Sequence, residues 1–370
     1  MELHEAEGAK SVKPILGINY YFSKADYNDA VFSPENGSQV AQFVRKFKQW
    51  MESRYDVEVH TYDCVDATSD EVKAVLYFDY SWRYAREDKL LWGIPYEKRA
   101  LMIIEPENVN PSLYYLSRYR KRFSTIFTWD KKLLSKYPNY NPVNVPVGAE
   151  PSAYRENRFG AIPFDEKKLL IAVSRNRWAY MPQSTYGMRK AAYRYFEANC
   201  KEGFDLYGQG WNKPVTLLEK WLGYHRFSCY HGEISGALDN KVAVMSRYKF
   251  ALCFENNASQ PGYVSEKITD CFCARCVPIY YGAPGVEDLI PQDCWIDARQ
   301  FRNFREMQAF IVNMTPERHA EYLSALEDFM HSQSLSFFST DHYFTTLAKG
   351  LGFNIHENQV TETESWPTKE

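Results

Sequence analysis

The feature that most constrains the fold is the regular alternation of short apolar segments with helical patterns. Strand-like segments include "ILGINYYF", "DVEVHTY", "VKAVLYFDY" and "RALMIIEP", whereas "SQVAQFVRKFKQWMESR" spaces its apolar residues along one helix face. Apolar strands that alternate with helices favour parallel sheets covered on both faces. The sequence therefore predicts an α/β protein.

The length of 370 residues and one break in the alternation together predict two domains. A single hydrophobic core seldom serves a chain beyond about 250–300 residues. Residues 148–168, "GAEPSAYRENRFGAIPFDEKK", interrupt the periodicity with proline, glycine and charge, and this segment is the candidate linker. We expect an N-terminal domain at residues 1–155, a second domain at residues 156–352 and a polar tail at residues 353–370.

Charge and composition narrow the function classes. Acidic and basic residues are mixed throughout, with a net charge of -3, which is atypical of nucleic-acid-binding proteins and of proteins that act at membrane surfaces. The N-terminus lacks a signal-peptide pattern, and no apolar run reaches the ~18–20 residues of a membrane helix. We therefore expect a cytoplasmic protein, with transient membrane contact left open.

The eight cysteines fit reduced thiols better than a disulfide framework in a chain of this length. Cys271, Cys273 and Cys276 form the pattern C-x-C-x-x-C, which raises the question of a metal site. On a helix, side chains at these offsets do not converge on one ion. The pattern favours buried thiols.

The segment from Tyr248 to Pro284 carries the strongest local signal for a binding site. It contains a strand, "YKFALCF", a polar loop, "ENNASQPGYV", a helix, "EKITDCFCARC", and a second strand, "CVPIYY". Ligands of parallel sheets bind beyond the carboxyl ends of the strands. Ser265 is a suitable N-cap, but the helix dipole disfavours Lys267 in the first turn unless an anion binds there. A solvated first turn is the alternative, so the residues indicate an anion-binding protein without defining a reaction.

The same segment closely resembles the donor-binding signature of the α-1,3/1,4-fucosyltransferases, glycosyltransferase family 10. The matching stretches are "YKFALCFEN", "GYVSEK" and "CVPIYYGAP", in the family's order, and the resemblance covers about residues 165–312. Two departures are Ser174-Arg175, where members often have Ser-Asn, and a loop between Asn256 and Tyr263 that is one residue longer.

The resemblance implies a GT-B-like fold, with two Rossmann-like domains whose parallel sheets face a central cleft. It implies inverting transfer of L-fucose from GDP-β-L-fucose to a hydroxyl of an acceptor glycan, with α-1,3 linkage expected. Two alternatives remain open. One is the same fold with another donor, such as GDP-mannose; the other is a sugar-nucleotide- or glycan-binding protein without turnover.

The resemblance also implies which residues bind the donor. Glu266 would accept hydrogen bonds from sugar hydroxyls as part of the catalytic site, Lys267 would face the diphosphate, and the guanidinium of Arg189 would suit two phosphate oxygens. The remaining donor-binding residues that the family pattern implies are Asn256, Tyr263, Val264, Ser265 and Lys241. Because Arg189, Lys267 and helix N–H groups would stabilise the leaving diphosphate, we expect no cofactor and no essential metal, although a divalent cation could stimulate the reaction.

The general base in this family is a glutamate at the end of an apolar strand, before a proline-containing turn. "KRALMIIEPENVNP" offers Glu105 at that position and Glu107 two residues later. In an extended segment both side chains would point the same way, so they compete for the role. The count from the Lys-Arg pair favours Glu105, and a polar loop residue without a catalytic role is the alternative for either. The expected partners are a nucleotide-sugar donor and an oligosaccharide or glycoconjugate acceptor, with no nucleic acid; the oligomeric state is not indicated.

Overall fold

A computed structural model describes residues 13–20, 24–86, 88–144, 162–200, 203–222, 226–234 and 238–354. The described residues form two compact units. The first contains the described parts of 13–105, together with 112–128 and 344–354, and the second contains 106–111 and the described parts of 129–343.

This division differs from the ranges expected from the sequence. Residues 344–352 join the first unit because helix α12 (Thr340–Gly350) packs there, with the ring of Phe344 4.9 Å from that of Phe47. The expected boundary at 155 and nearly all of the expected tail at 353–370 lie outside the described residues, so those boundaries remain predictions.

The first unit is built on a parallel sheet. Its strands pair in the order β2-β1-β3-β4-β5. These strands are β1 (Ile15–Asn19), β2 (Glu58–Thr61), β3 (Val72–Phe78), β4 (Arg99–Ile103) and β5 (Thr125–Thr128). The helices are α1 (Gln39–Arg54), α2 (Trp82–Ala85), α3 (Pro111–Tyr115) and α4 (Ser117–Arg120), with 3-10 turns at Ala30–Phe32, Tyr62–Cys64, Leu90–Gly93 and Tyr96–Lys98. The predicted first helix is confirmed, with Ser38 as its N-cap.

The second unit has its own parallel sheet, in the order β11-β10-β9-β7-β8. Its strands are β7 (Lys168–Val173), β8 (Phe204–Tyr207), β9 (Tyr248–Phe254), β10 (Val277–Tyr281) and β11 (Ile296–Asp297); a short strand, β6 (Asn141–Pro142), precedes them. Because β8 lies on one side of β7 and β9 on the other, the strand order reverses between β7 and β9. Such a reversal opens a crevice at the carboxyl ends of the two strands.

Helices accompany these strands in the second unit, and the first turn of one of them, α9 (Glu266–Cys273), borders this crevice. They are α5 (Lys131–Lys136), α6 (Tyr186–Asn199), α7 (Leu217–Leu222), α8 (Leu238–Met245), α9 (Glu266–Cys273), α10 (Phe304–Val312) and α11 (Pro316–Met330). 3-10 turns lie at Phe164–Glu166, Val286–Asp288, Gln292–Cys294, Ala298–Gln300 and Gln333–Phe338. In the part of the chain that the structure describes, no helix is long and apolar enough to cross a bilayer.

Candidate functional site

A small cavity marks the reversal point of the second sheet. Its lining combines strand ends from β7 and β9 with two lysines from helices α8 and α9: Val173, Ser174, Cys253, Phe254, Lys241 and Lys267. The polar loop singled out in the sequence follows β9 directly, so the structure brings this loop to the sheet edge where ligands of this architecture bind.

Glu255 connects the end of β9 to the start of α9. Its carboxylate is fully buried and accepts hydrogen bonds from the Ser265 N–H at 2.8 Å, the Ser265 hydroxyl at 2.7 Å and the Lys267 ammonium at 3.2 Å. Ser265 also caps α9 as predicted, because its Oγ accepts from the Lys267 N–H. This role of Glu255 was not predicted, although its position directly after a buried strand was a signal present in the sequence.

Lys267 has two counter-ions within the protein, Glu255 and Glu266. Its ammonium lies 3.2 Å from a Glu255 oxygen, 3.6 Å from a Glu266 oxygen and 2.8 Å from Ser265 Oγ. Burial alone would lower the pKa of Lys267, but the two carboxylates outweigh it and raise the pKa above its ordinary value. These carboxylates therefore offset the unfavourable interaction between Lys267 and the positive end of the helix dipole. Lys267 alone is consequently weaker evidence for an external anion than expected.

Glu266 is the accessible carboxylate of the group. Its side chain is 44% exposed, whereas that of Glu255 is fully buried. Burial works against ionisation of Glu266, but Lys267 and Lys241 outweigh it and lower the pKa to about 2. Glu266 is thus fully ionised at neutral pH and can only accept hydrogen bonds, as its predicted role toward sugar hydroxyls requires.

Lys241 is held in place by an ion pair rather than solvated as an ordinary surface lysine. Its Nζ contacts the carboxylate of Asp270, which is buried on α9, at 2.5 Å. Burial opposes the charge on Lys241, but Asp270 and Glu266 raise its pKa. The second carboxylate oxygen of Asp270 is buried and has no hydrogen-bond partner among the described residues. Lys241 thus lines the cavity and links α8 to α9.

Arg189 is buried on α6 and points to the end of β9. Its Nη2 donates hydrogen bonds to the Phe254 carbonyl and, at 3.0 Å, to Asn256 Oδ1. Its Nε is also buried and has no hydrogen-bond partner in the described part of the chain. One nitrogen of the guanidinium predicted to bind phosphate therefore orders the loop, and Nε is left as an unused donor.

The predicted residues Asn256, Tyr263 and Val264 lie in the same loop. Asn256 Nδ2 donates to the Tyr263 hydroxyl at 3.2 Å. Both Tyr263 and Val264 are buried, and the Tyr263 ring centroid lies 4.9 Å from that of Trp129. The side chains of Tyr263 and Val264 therefore pack beneath the loop inside the protein and do not extend into solvent.

The longer loop is fixed by its own polar residues. Asn257 Oδ1 accepts from the N–H groups of Ser259, at 2.7 Å, and Gln260, at 3.2 Å. Gln260 in turn donates to Asp130 at 2.7 Å and accepts from the Glu107 N–H at 2.7 Å. Gly262 has a φ of 95°, and a Cβ there would lie 2.3 Å from the Trp129 carbonyl oxygen, so glycine is required.

Glu105 lies just beyond β4 in the first unit. Its N–H donates to Asp79 Oδ2 at 3.0 Å, and its carbonyl accepts from the Tyr114 hydroxyl at 2.9 Å. Asp79 is buried, has a φ of 63° and also accepts from the Ile104 N–H. Asp79 thus orients this strand end, a role that was not predicted from the sequence.

The expectation that Glu105 and Glu107 share one side of an extended segment is wrong. The chain turns at Pro106, whose carbonyl accepts from the N–H groups of both Val109 and Asn110 at 2.9 Å. Glu107 lies in this turn, in a segment that belongs to the second unit, so strand alternation does not relate the two side chains. Which glutamate acts as base stays a prediction.

The cysteines of the C-x-C-x-x-C pattern are thiols that lie mostly inside the protein. Cys271 and Cys276 are buried and Cys273 is half-buried; burial raises the pKa of all three thiols. Cys271 Sγ donates to the Lys267 carbonyl at 3.1 Å, as a thiol does. Within the described ranges, no three His, Cys, Asp or Glu side chains are grouped as metal ligands would be.

Comparison with known proteins finds similarities to the second half of the chain. Residues 188–352 match the sequence model "Glycosyltransferase family 10 (fucosyltransferase) C-term". The match covers slightly less than half of the chain. An α-(1,3)-fucosyltransferase from Helicobacter pylori is 34% identical over 117 residues, which are 31% of this chain and 22% of that protein. An Arabidopsis thaliana α-(1,4)-fucosyltransferase is 36% identical over 86 residues, which are 23% of this chain and 21% of that protein.

A GDP-fucose protein O-fucosyltransferase 3 from Xenopus laevis is 33% identical over 72 residues, which are 19% of this chain and 15% of that protein. The matched stretches span about a fifth of the length of these curated relatives. The residues that match the family 10 model include Arg189, Lys241 and the whole loop from β9 to α9, whereas Glu105 lies outside them.

Solved structures resemble the chain over most of its length. A crystal structure of an α1,3-fucosyltransferase with GDP has a TM-score of 0.51 at 17% identity, covering 94% of this chain and 93% of that one. A DNA-modifying β-glucosyltransferase has a TM-score of 0.54 at 10% identity, covering 91% of this chain and 99% of that one. At these identities the likeness concerns the fold, and it confirms the predicted GT-B-like class with two parallel sheets.

Proposed function

We propose that this protein transfers L-fucose from GDP-β-L-fucose to a hydroxyl group of an acceptor glycan. The observation that carries the proposal is the position of the family 10 signature. Its loop and helix start lie at the strand reversal of the second sheet, together with Arg189, Lys241 and Lys267. The names of the relatives support fucose as the transferred sugar, and they include both α-(1,3) and α-(1,4) linkages. We propose α-1,3 as the linkage made.

Donor binding would use charges that are already fixed in position. The first turn of α9 and the ammonium of Lys267 offer N–H groups and a cation for the diphosphate, and Arg189 Nε is an unused buried donor at the same strand end. Glu266, ionised and half-exposed, can accept from sugar hydroxyls. These cations would hold the charge of the leaving diphosphate without an essential divalent metal.

The proposed reaction is a single displacement with inversion. A glutamate takes the proton of the acceptor hydroxyl while the hydroxyl oxygen attacks the anomeric carbon of fucose. This glutamate is Glu105 in our assignment and Glu107 in the alternative. The bond from that carbon to the diphosphate oxygen breaks, GDP leaves with the electron pair, and the β-linked donor becomes an α-fucoside. A positioned base of this kind contributes roughly 10²–10⁴-fold to the rate.

The fold alone does not select the donor, because the similar β-glucosyltransferase is described with uridine diphosphoglucose. The deciding measurement is a thermal-shift titration with GDP, GDP-fucose, GDP-mannose and UDP-glucose, without added metal. Stabilisation by GDP and GDP-fucose above the others is the expected result. A response to GDP-mannose alone would replace fucose as the donor sugar, and no response to any guanine nucleotide would contradict the transferase proposal and favour a glycan-binding protein.

A further inference from the structure

Helix α7 presents its apolar side to solvent and its acidic residue to the protein. Leu217 is 82% exposed, Leu218 66%, Trp221 89% and Leu222 52%, whereas Glu219 is buried at 9%. On a helix the four apolar residues share one face, spaced i, i+1, i+4 and i+5. A helix on the surface of a soluble protein normally buries such a face. The orientation of α7 is the reverse.

The inward carboxylate holds α7 in this orientation. Glu219 forms an ion pair with Lys190 on α6, and its second oxygen accepts from the Val215 N–H at 2.8 Å. The ion pair anchors the polar side of the helix to α6, and the contact with Val215 fixes the chain that enters the helix. The outward apolar face is therefore built by specific contacts, since turning it inward would break a buried ion pair and remove the acceptor of the Val215 N–H.

A neighbouring loop extends this surface. Asn176 binds the segment before α7 through its N–H to the Gln209 carbonyl at 2.8 Å and through Nδ2 to the Lys213 carbonyl at 2.9 Å. Two residues further, Trp178 is exposed and Tyr180 is almost fully exposed. The two segments, residues 174–183 and 209–222, make up what we call the α7 surface.

The charge of the α7 surface is basic. Its two segments contain Arg175, Arg177, Lys213 and Lys220, and their single acidic residue is the inward Glu219. Arg175, Lys213 and Lys220 are exposed. Leucine and tryptophan side chains surrounded by lysine and arginine are typical of surfaces that insert into the interface of anionic bilayers. The net charge of the whole chain, -3, conceals this local excess of positive charge.

We propose that the α7 surface binds an anionic lipid bilayer, with Leu217, Leu218 and Trp221 inserted at the headgroup boundary. Both segments follow the carboxyl ends of β7 and β8, the sheet edge that also carries the loop after β9. Binding would bring that edge to the membrane and favour acceptors carried on lipids. This last consequence rests on the proposed transferase function, but membrane binding itself does not.

The test is cosedimentation of the full chain with vesicles of phosphatidylcholine alone and of phosphatidylcholine mixed equally with phosphatidylserine. We expect binding to the mixed vesicles. The double variant Lys213→Gln/Lys220→Gln should weaken it by about fivefold per lysine, roughly 25-fold in total. Leu218→Ser/Trp221→Ser should weaken it by at least about tenfold, because apolar insertion is lost.

Matched controls use exposed residues elsewhere on the second unit and the first. Val312→Ser removes an exposed apolar side chain, and Arg305→Gln/Lys349→Gln removes two exposed cations. Both should leave cosedimentation unchanged. Equal binding by the α7 variants and their controls would overturn the proposal, as would no binding by the unaltered chain. A dimer in light scattering that Leu218→Ser/Trp221→Ser converts to monomer, without vesicle binding, would assign the surface to self-association instead. Unchanged thermal unfolding of the variants shows that they are folded.

Discussion

Replacing Glu255 by glutamine tests whether this buried carboxylate holds the candidate site together. The substitution keeps the shape of the side chain but removes its charge. In the unaltered protein the Lys267 ammonium and the Ser265 hydroxyl both donate to the Glu255 carboxylate, and the substitution places an NH2 group, itself a donor, near them. Removing one partner of a buried ion pair costs about 3–5 kcal/mol. Because 18% of the Lys267 side chain is exposed and Glu266 remains nearby, we expect the lower end, about 3 kcal/mol.

Scanning calorimetry measures this effect, because it resolves the two units if they melt separately. For a unit of this size, a loss of about 3 kcal/mol lowers the melting temperature by about 6–12 °C. The matched control is Glu327→Gln, which breaks a partly exposed pair with Arg275 and should cost at most about 1 kcal/mol. In Glu255→Gln/Lys267→Met the two losses should be smaller than additive, since the unpaired cation is gone.

Two results would refute this reasoning. A Glu255→Gln protein that melts within about 2 °C of the unaltered chain would show that Lys267 does not need its buried counter-ion. Additive losses in the double variant would show that Glu255 and Lys267 act independently, and that the carboxylate serves only to bind Ser265.

Three further predictions follow from named contacts. Glu105→Gln should lower transfer by roughly 10²–10⁴-fold while GDP still stabilises the protein, and Glu107→Gln should not; the reverse order in a transfer assay would exchange the two roles. Arg189→Lys should weaken GDP binding in a thermal-shift titration, because lysine cannot reproduce the contacts to Phe254 and Asn256 and still offer a donor to phosphate. Burial lowers the pKa of His319 to about 4, below its unfolded value of about 6.5. The free energy of unfolding should therefore be highest above pH 6.5 and should fall by about 3 kcal/mol as the pH drops from 6.5 through 4. His319→Gln should lack this pH dependence in urea unfolding; an equally steep loss in that variant would exclude His319 as its cause.

Local patterns in the sequence were sufficient to predict the strands and the start of α9. The apolar run from Tyr248 to Phe254 and the cap at Ser265 both follow from nearest-neighbour physics, and the structure contains both. The ion pair between Lys241 and Asp270 could not be predicted from local patterns. Its partner, Asp270, is 29 residues away along the chain and lies on a different helix, and sequence spacing does not encode such a pairing.

One sequence interpretation failed for an avoidable reason, and one feature of the structure could not have been predicted. The turn after Glu105 was predictable in principle, because Pro106 and the asparagines that follow it are turn-forming residues, but strand alternation was extended past the proline. The orientation of α7 was not predictable. The periodicity of Leu217, Leu218 and Trp221 indicates an apolar face, and only the pairing of Glu219 with Lys190 shows that this face is directed outward.

The charges around the cavity are balanced before any nucleotide binds. Arg189, Lys241 and Lys267 are like charges, and the nearby carboxylates are Glu255, Glu266 and Asp270. Glu255 and Asp270 are buried, so separating either from its lysine would leave an unpaired charge in the interior. Glu266 is partly exposed, so its carboxylate can separate from Lys267 and be solvated. A diphosphate that approaches Lys267 would therefore displace Glu266 first, and the displaced carboxylate would be free to accept hydrogen bonds from the sugar. If the proposed donor site is correct, one exchange of ion-pair partners would couple the binding of the diphosphate to that of the sugar, which would explain why a glutamate and a lysine are adjacent there.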